Sequence, residues 1–162
     1  PCEESVAEHS FRCAVIAYVL SLKEGADPLK CVLMGLFNDI HESRINDPHK
    51  VAHRYLNVRS AEKKAFFEQM EALGGDCAGN LSALREEYDA QTSSEAIVAR
   101  DADILECLLQ SKEYADMGFE AASKFLKKAP EHLKSRSAVE LWETAASWDS
   151  ARWWEELGEF ER

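Results

Sequence analysis

Residues 5–22, SVAEHSFRCAVIAYVLSL, and residues 27–42, DPLKCVLMGLFNDIHE, decide how this chain is read. Both carry apolar side chains nearly all round a helical wheel, and a helix of that kind is normally buried. Yet Glu8 and His9 interrupt the first stretch, and Asn38, Asp39 and Glu42 close the second. A buried ionisable group is costly unless it is paired or coordinates a metal. An imidazole and carboxylates thrown into one core by two neighbouring helices therefore point to a metal site.

Working outward, the first helix is expected over about 5–23, with Gly25 as a left-handed C-cap. Asp27-Pro28 supplies an N-cap and a proline at the first helical position, starting a second helix that runs to about residue 42. A loop follows at 43–49, in which Asn46 is suited to the left-handed conformation. Helical spacing then predicts a short helix over 51–56 and a longer one over 60–73, capped by Ser60 and broken at Gly74-Gly75. Residues 81–88 read as helix, and Ser93 or Ser94 caps a long helix through Met117 that Gly118 ends. Two more helices, near 119–128 and 136–148, lead to Trp153-Trp154. No segment alternates like a strand, and no repeat or linker divides the chain. The expectation is an all-α fold, one compact helical domain over residues 1–162.

Composition narrows the function. The chain of 162 residues is long enough for one real core. Its 30 acidic against 19 basic side chains give a formal charge of −11, which repels polyanions and argues against long nucleic acid as a partner. A small phosphate ester is compatible, because a bound metal sets local charge against the global field. The cysteines, Cys2, Cys13, Cys31, Cys77 and Cys107, form no CxxC pair, and Cys13, Cys31 and Cys107 lie in apolar helical runs. Thiols there act as small hydrophobes, so a reducing cytoplasm is expected. There is neither a long apolar run nor a charged-then-apolar leader, so no membrane span or signal peptide is expected.

Hydrolysing a phosphate monoester takes a nucleophile, neutralisation of phosphoryl charge, and a proton for the leaving oxygen. One divalent cation can supply the first two, and His and Asp suit a borderline transition metal. The candidates are His9, the Asn38-Asp39 pair, and an acid from residues 100–106, RDADILE. On a continuous helix Asn38 and Glu42 share a face, placing Glu42 one turn from the ligand pair for acid–base work. In the third segment Ile97, Val98, Ile104, Leu105 and Leu108 define an apolar face. At about 3.6 residues per turn, Asp101 falls on that face and Asp103 away from it.

Three segments, ESVAEHSFR (4–12), NDIHESRIND (38–47) and SEAIVARDADILECLLQSKEY (94–114), resemble in order the signature of the HD-domain metal-dependent phosphohydrolases. Within that family they are most similar to the 5′-deoxynucleotidase branch. The resemblance implies an HD-type helical domain and one divalent ion, with Mn, Co, Zn, Fe and Mg not distinguished. It further implies a nucleotide or other phosphate monoester as substrate, and a homodimer. The family's ligand positions fall on His9, Asn38, Asp39 and Asp103, so the resemblance selects Asp103 and leaves Asp101 second. Its catalytic glutamate falls on Glu42. Its sugar-contacting aspartate falls on Asp47, here after Asn46 where the family has glycine.

The departure is Asn38, which stands where the family has histidine, and an amide oxygen is a weaker ligand for a transition metal than imidazole. Three outcomes follow: a weaker site that still turns over, substitution by His41 one turn on, or an inactive scaffold that binds a nucleotide or partner protein.

Plainer readings stand beside these. His9 and Asp39 are also compatible with a satisfied core pair, Glu42 with a solvated last turn, and Asp47 with turn chemistry before Pro48. His49 and His53 have metal-binding spacing but sit with Lys50 and Arg54 on a stretch expected to be solvated or to meet an anion. Trp142, Trp148, Trp153 and Trp154 are expected in the core or on a dimer surface, and the glutamates of 155–161 on an exposed face.

Overall fold

The structure is a computed structural model that describes residues 4–152. Helix α1 (Val6–Glu24) starts where the sequence places it. The Glu8 amide donates to Ser5 Oγ at 3.2 Å, and the Ser5 amide donates to Glu8 Oε2 at 2.8 Å. This reciprocal cap satisfies two orphan donors, so Glu8 serves the helix end rather than the site. Gly25, at φ 70°, closes it. Helix α2 (Pro28–Phe37) is capped by Asp27, whose carboxylate accepts from the Leu29 and Lys30 amides. The two helices cross closely: a Cβ on Gly35 would lie 3.3 Å from the Cys13 carbonyl carbon and oxygen.

The second helix stops short of the expected residue 42. It ends at Phe37, and residues 38–41 wind more tightly, with Ile40 N donating to Phe37 O and Glu42 N to Asp39 O before the short α3 (Glu42–Ile45). The Asn38 carbonyl explains the break. Instead of continuing the helical ladder it accepts from Arg85 Nη1 at 2.8 Å and faces His41 Nδ1 at 3.1 Å. Asn38 and Glu42 therefore belong to different elements rather than one helix face.

Beyond a 3-10 turn at Ala52–Arg54, helix α4 (Val58–Leu73) begins two residues before Ser60. Its cap is Asn57, whose side chain accepts from the Ser60 amide. Helix α5 (Gly75–Ala90) starts at once after Gly74, well ahead of residue 81, because Gly74 at φ 68° turns the chain without a loop. Helix α6 (Ser94–Asp116) takes Ser93 as its cap. The helix expected near 119–128 is broken into the 3-10 turns Glu120–Ala122 and Ala129–His132 around α7 (Ser123–Leu126). Helix α8 (Arg136–Ala146) completes the bundle, and no strand occurs among the described residues.

Helix α6 is the axis, packed by α1, α2, α5 and α8. Ile16, Leu20, Cys31, Val98, Leu105, Leu108 and Trp142 form the main core, and Phe66, Met70 and Leu81 a second one between α4 and α5. Each fully buried leucine contributes roughly 1.5–3 kcal/mol. One expectation is corrected: α1 is not buried all round. Phe11, Val15, Tyr18 and Leu22 stand along its outer face, between 49% and 66% exposed. Trp142 is core and Trp148 half-exposed, while Trp153, Trp154 and the glutamates of 155–161 lie outside the described residues. No described helix is long and apolar enough to cross a membrane.

Candidate metal centre

One face of α1, the turn after α2 and the middle of α6 meet at His9. Its Nε2 lies 3.2 Å from Asp39 Oδ2 and 3.3 Å from Asp103 Oδ1. On the other side of the ring, Nδ1 lies 2.6 Å from Glu106 Oε2. Glu106 has no exposure at all, and its second oxygen faces Arg12 Nε at 3.2 Å without hydrogen-bond geometry. Arg12 Nη1 donates onward to Gln110 and Glu113, so a partly buried charged network underlies the imidazole.

This donor set fits a divalent cation. A histidine that ligates metal commonly donates its other N–H to a carboxylate, which fixes the tautomer and aims the free lone pair. Glu106 stands where such a partner belongs, leaving Nε2 toward Asp39 and Asp103. The electrostatics agree. Burial alone would depress the His9 pKa, but Asp103, Asp39, Cys13 and Glu106 outweigh it and drive the imidazole far above its ordinary range. Carboxylates crowd a point that calls for positive charge, and imidazole with aspartate suits a borderline divalent ion.

Asn38 lies beside this group, its amide Nδ2 donating to Asp39 Oδ1 at 2.8 Å. His41 is buried, 3% exposed, and can bring a ligand atom within 4.8 Å of those of Asp39 and Glu42. Its Nδ1 meets the Asn38 carbonyl, and burial with Arg85 nearby lowers its pKa. Glu42 is half-buried, and burial together with Asp39, Asp47 and Asp103 pushes its carboxyl up to about 8. Asp47 lines a cavity of about 400 Å³ with Glu4, Ser5, His9, Asp39, Glu42 and Asp103. Asn46, just before it, has φ 57° and ψ 178°, positive as its residue type allows but extended rather than left-handed helical. Glu4 is pushed up to about 7 by burial and the Glu106 charge.

Asp101 lies elsewhere. Its fully buried carboxylate accepts from the Ser135 amide at 2.6 Å and the Lys134 amide at 3.0 Å, holding the entry to α8. The helical arithmetic that put Asp101 on the buried face was sound, and burial there means a structural anchor. His49 and His53 are tied to local backbone, His49 Nδ1 accepting from the Ala52 amide and His53 Nε2 facing Pro48 O. Glu106 and Arg12 were not singled out from the sequence. The available signal was position, since Glu106 follows Asp103 by three residues and so shares its face of α6.

Comparison with known proteins places the chain. A family model described as HD domain matches residues 1–142. The 5′-deoxynucleotidase HDDC2 of Bos taurus is 32% identical over 121 residues, covering 70% of this chain and 56% of that protein. The Dictyostelium discoideum protein of the same name is 31% identical over 120 residues, covering 68% of this chain and 63% of its own length. The chain thus spans less than two thirds of these relatives. Among solved structures, a conserved hypothetical protein from Pyrococcus furiosus is 30% identical with a TM-score of 0.73, covering 91% of this chain and 86% of that one. A Magnetospirillum magnetotacticum protein described as a predicted metal-dependent phosphohydrolase is 25% identical with a TM-score of 0.71, covering 88% of this chain and 76% of its own. An all-α bundle that gathers an imidazole and two aspartates from three elements agrees with these matches, and the chain belongs to the HD-domain family.

Proposed function

We infer that this chain is a metal-dependent phosphomonoester hydrolase acting on nucleoside 5′-monophosphates, deoxyribonucleotides first. The observation that carries the reading is the placement of His9 Nε2 between Asp39 and Asp103, with Nδ1 anchored on buried Glu106. In it, His9, Asp39 and Asp103 hold one divalent ion with Asn38 beside them. The ion, when bound, lowers the pKa of water and neutralises phosphoryl charge. Glu42 delivers a proton to the departing 5′-oxygen, and its burial, which raises its pKa, suits a general acid. Asp47, at the rim of the acidic cavity, accepts from a sugar hydroxyl. The 5′-deoxynucleotidase relatives support the substrate class.

The reading includes a cytoplasmic homodimer. The exposed apolar row on α1 supports the second copy. The free thiols of Cys13, Cys31, Cys77 and Cys107 support a reducing compartment.

The test is phosphate release from a deoxynucleotide panel with Mn²⁺, Co²⁺ and Zn²⁺, for this chain beside Asn38→His. Release by both chains, faster in the histidine form, is expected. Activity in the histidine form alone favours the second reading, a scaffold that binds a nucleotide or partner and lost turnover with the imidazole; the observation behind it is that the Asn38 amide is turned onto Asp39. Silence in both ends the hydrolase assignment.

A further inference from the structure

The metal centre opens on a second side into a cavity of about 620 Å³ whose chemistry differs from the acidic one. Its lining joins Asp39, Glu42 and Asp103 to Arg59 and Lys63 of α4, Arg85 of α5 and Arg100 of α6. Four cations share this concavity with five carboxylates, Asp39, Glu42, Glu62, Asp89 and Asp103. Two of them are engaged: Arg85 donates to Asp89 at 3.0 Å and to the Asn38 carbonyl, and Lys63 lies 5.8 Å over the Phe67 ring. Arg59 and Arg100 make no ion pair or side-chain hydrogen bond among the described residues. Of the five acids, Asp39, Glu42 and Asp103 belong to the centre and Asp89 pairs with Arg85, so Glu62 is the remaining acid beside Arg59 and Arg100.

The two cavities share Asp39, Glu42 and Asp103 and differ in the rest of their lining. A divalent ion at the centre offsets Asp39 and Asp103, so the arginine wall then faces the opening with positive charge. The acidic side, with Glu4, Ser5 and Asp47, offers acceptors for hydroxyl groups. The cationic side offers planar N–H forks that match phosphate oxygens, a bidentate geometry lysine cannot make.

We propose that the arginine-lined cavity is an anion subsite that seats a second phosphate group, one step beyond the phosphoryl group at the metal centre. The site then takes ligands carrying two linked phosphates, such as nucleoside diphosphates, with the sugar toward Asp47 and the outer phosphate on Arg59 and Arg100. The subsite rests on the metal-centre reading given above.

Titration calorimetry of pyrophosphate and orthophosphate into the metal-loaded protein tests it, for the chain as it stands and for Arg59→Ala/Arg100→Ala. Pyrophosphate should bind roughly tenfold more tightly than orthophosphate, and the double variant should lose about that advantage. Pyrophosphate also coordinates metal ions, so the arginine dependence is the deciding quantity. An Arg59→Lys/Arg100→Lys variant that keeps the charge should recover only part of the loss and guards against a folding defect. Equal pyrophosphate affinity in the parent and alanine chains overturns the subsite. The nucleotide-panel assay reports separately: arginine-dependent pyrophosphate binding without ester cleavage sinks the hydrolase reading alone, and cleavage without arginine dependence sinks the subsite alone.

Discussion

Replacing Glu106 by glutamine is the sharpest probe of the centre. The substitution keeps an acceptor for the His9 Nδ1–H but removes the charge from a group with no exposure, 2.6 Å from the ring. Carboxylate partners behind a ligating histidine are typically worth roughly 10- to 100-fold in metal affinity, about 1.4–2.7 kcal/mol. Because glutamine retains the hydrogen bond, Glu106→Gln should fall near the lower end and Glu106→Ala near the upper. Arg12 loses its ionic contact yet keeps Gln110 and Glu113, so the network is thinned rather than dismantled. The assay is competitive metal titration against a chromogenic chelator, run under conditions where thermal melts show each variant folded. Asp101→Asn is the matched control, another fully buried carboxylate on α6 that serves the Lys134 and Ser135 amides instead of His9. It should cost about 1–3 kcal/mol of stability and leave metal affinity alone. Parental affinity in Glu106→Gln, or an equal loss in Asp101→Asn, refutes the claim that Glu106 acts through the imidazole.

Glu42→Gln should slow hydrolysis roughly a hundred- to ten-thousand-fold while metal affinity stays within a few-fold of the parent. In chelator-treated protein the same substitution has a pH signature. The folded carboxyl ionises at about 8 and the unfolded one near 4.5. Between those values the folded state holds a proton that the unfolded state has lost, so stability falls as pH rises through the window. Denaturation midpoints should fall with pH there less steeply in Glu42→Gln, where Glu4, raised to about 7, still contributes, and parallel curves would contradict it. Asn46→Gly relieves a non-glycine residue at φ 57°, ψ 178° and should add about 1 kcal/mol, seen as a higher midpoint; a lower one would show the conformation is unstrained. The Cys31 thiol is fully buried and pushed up to about 12 by burial, then by Glu95 and Asp27. Alkylation followed by mass spectrometry should label exposed Cys77 in the native state and Cys31 only on unfolding; early labelling of Cys31 would place it at the surface.

The starts of α1, α2 and α6 were legible because their causes are local. Ser5 with Glu8, Asp27 with Pro28, and Ser93 each cap within their own few residues. The end of α2 was not legible, because the group that draws off the Asn38 carbonyl is Arg85, 47 residues further along the chain. The outer face of α1 was misread for a related reason: composition tells that a helix is apolar, not how many neighbours it will have. Spacing put Asp101 on the buried face, whereas resemblance selected Asp103, the one the structure sets against His9. Asp101 is buried as helical arithmetic required, but its partners sit at residues 134 and 135, beyond the reach of any local pattern. The cationic cavity draws on α4, α5 and α6 at once and exists only after folding.

Gly35 lies four residues before Asp39, in the last part of α2, and Cys13 follows His9 by one helical turn. The place where a side chain on Gly35 would strike the Cys13 carbonyl, at 3.3 Å, is thus a fulcrum shared by both halves of the clasp. Backbone on one side and a hydrogen atom on the other set its calibre. A methyl at Gly35 would prise α1 from α2 by a few tenths of an ångström and open the jaws at His9 and Asp39. Zinc and calcium differ in preferred bond length by about that amount. In the proposed metal centre, Gly35→Ala should therefore shift preference toward the larger ion, although Gly35 is not among the ligands.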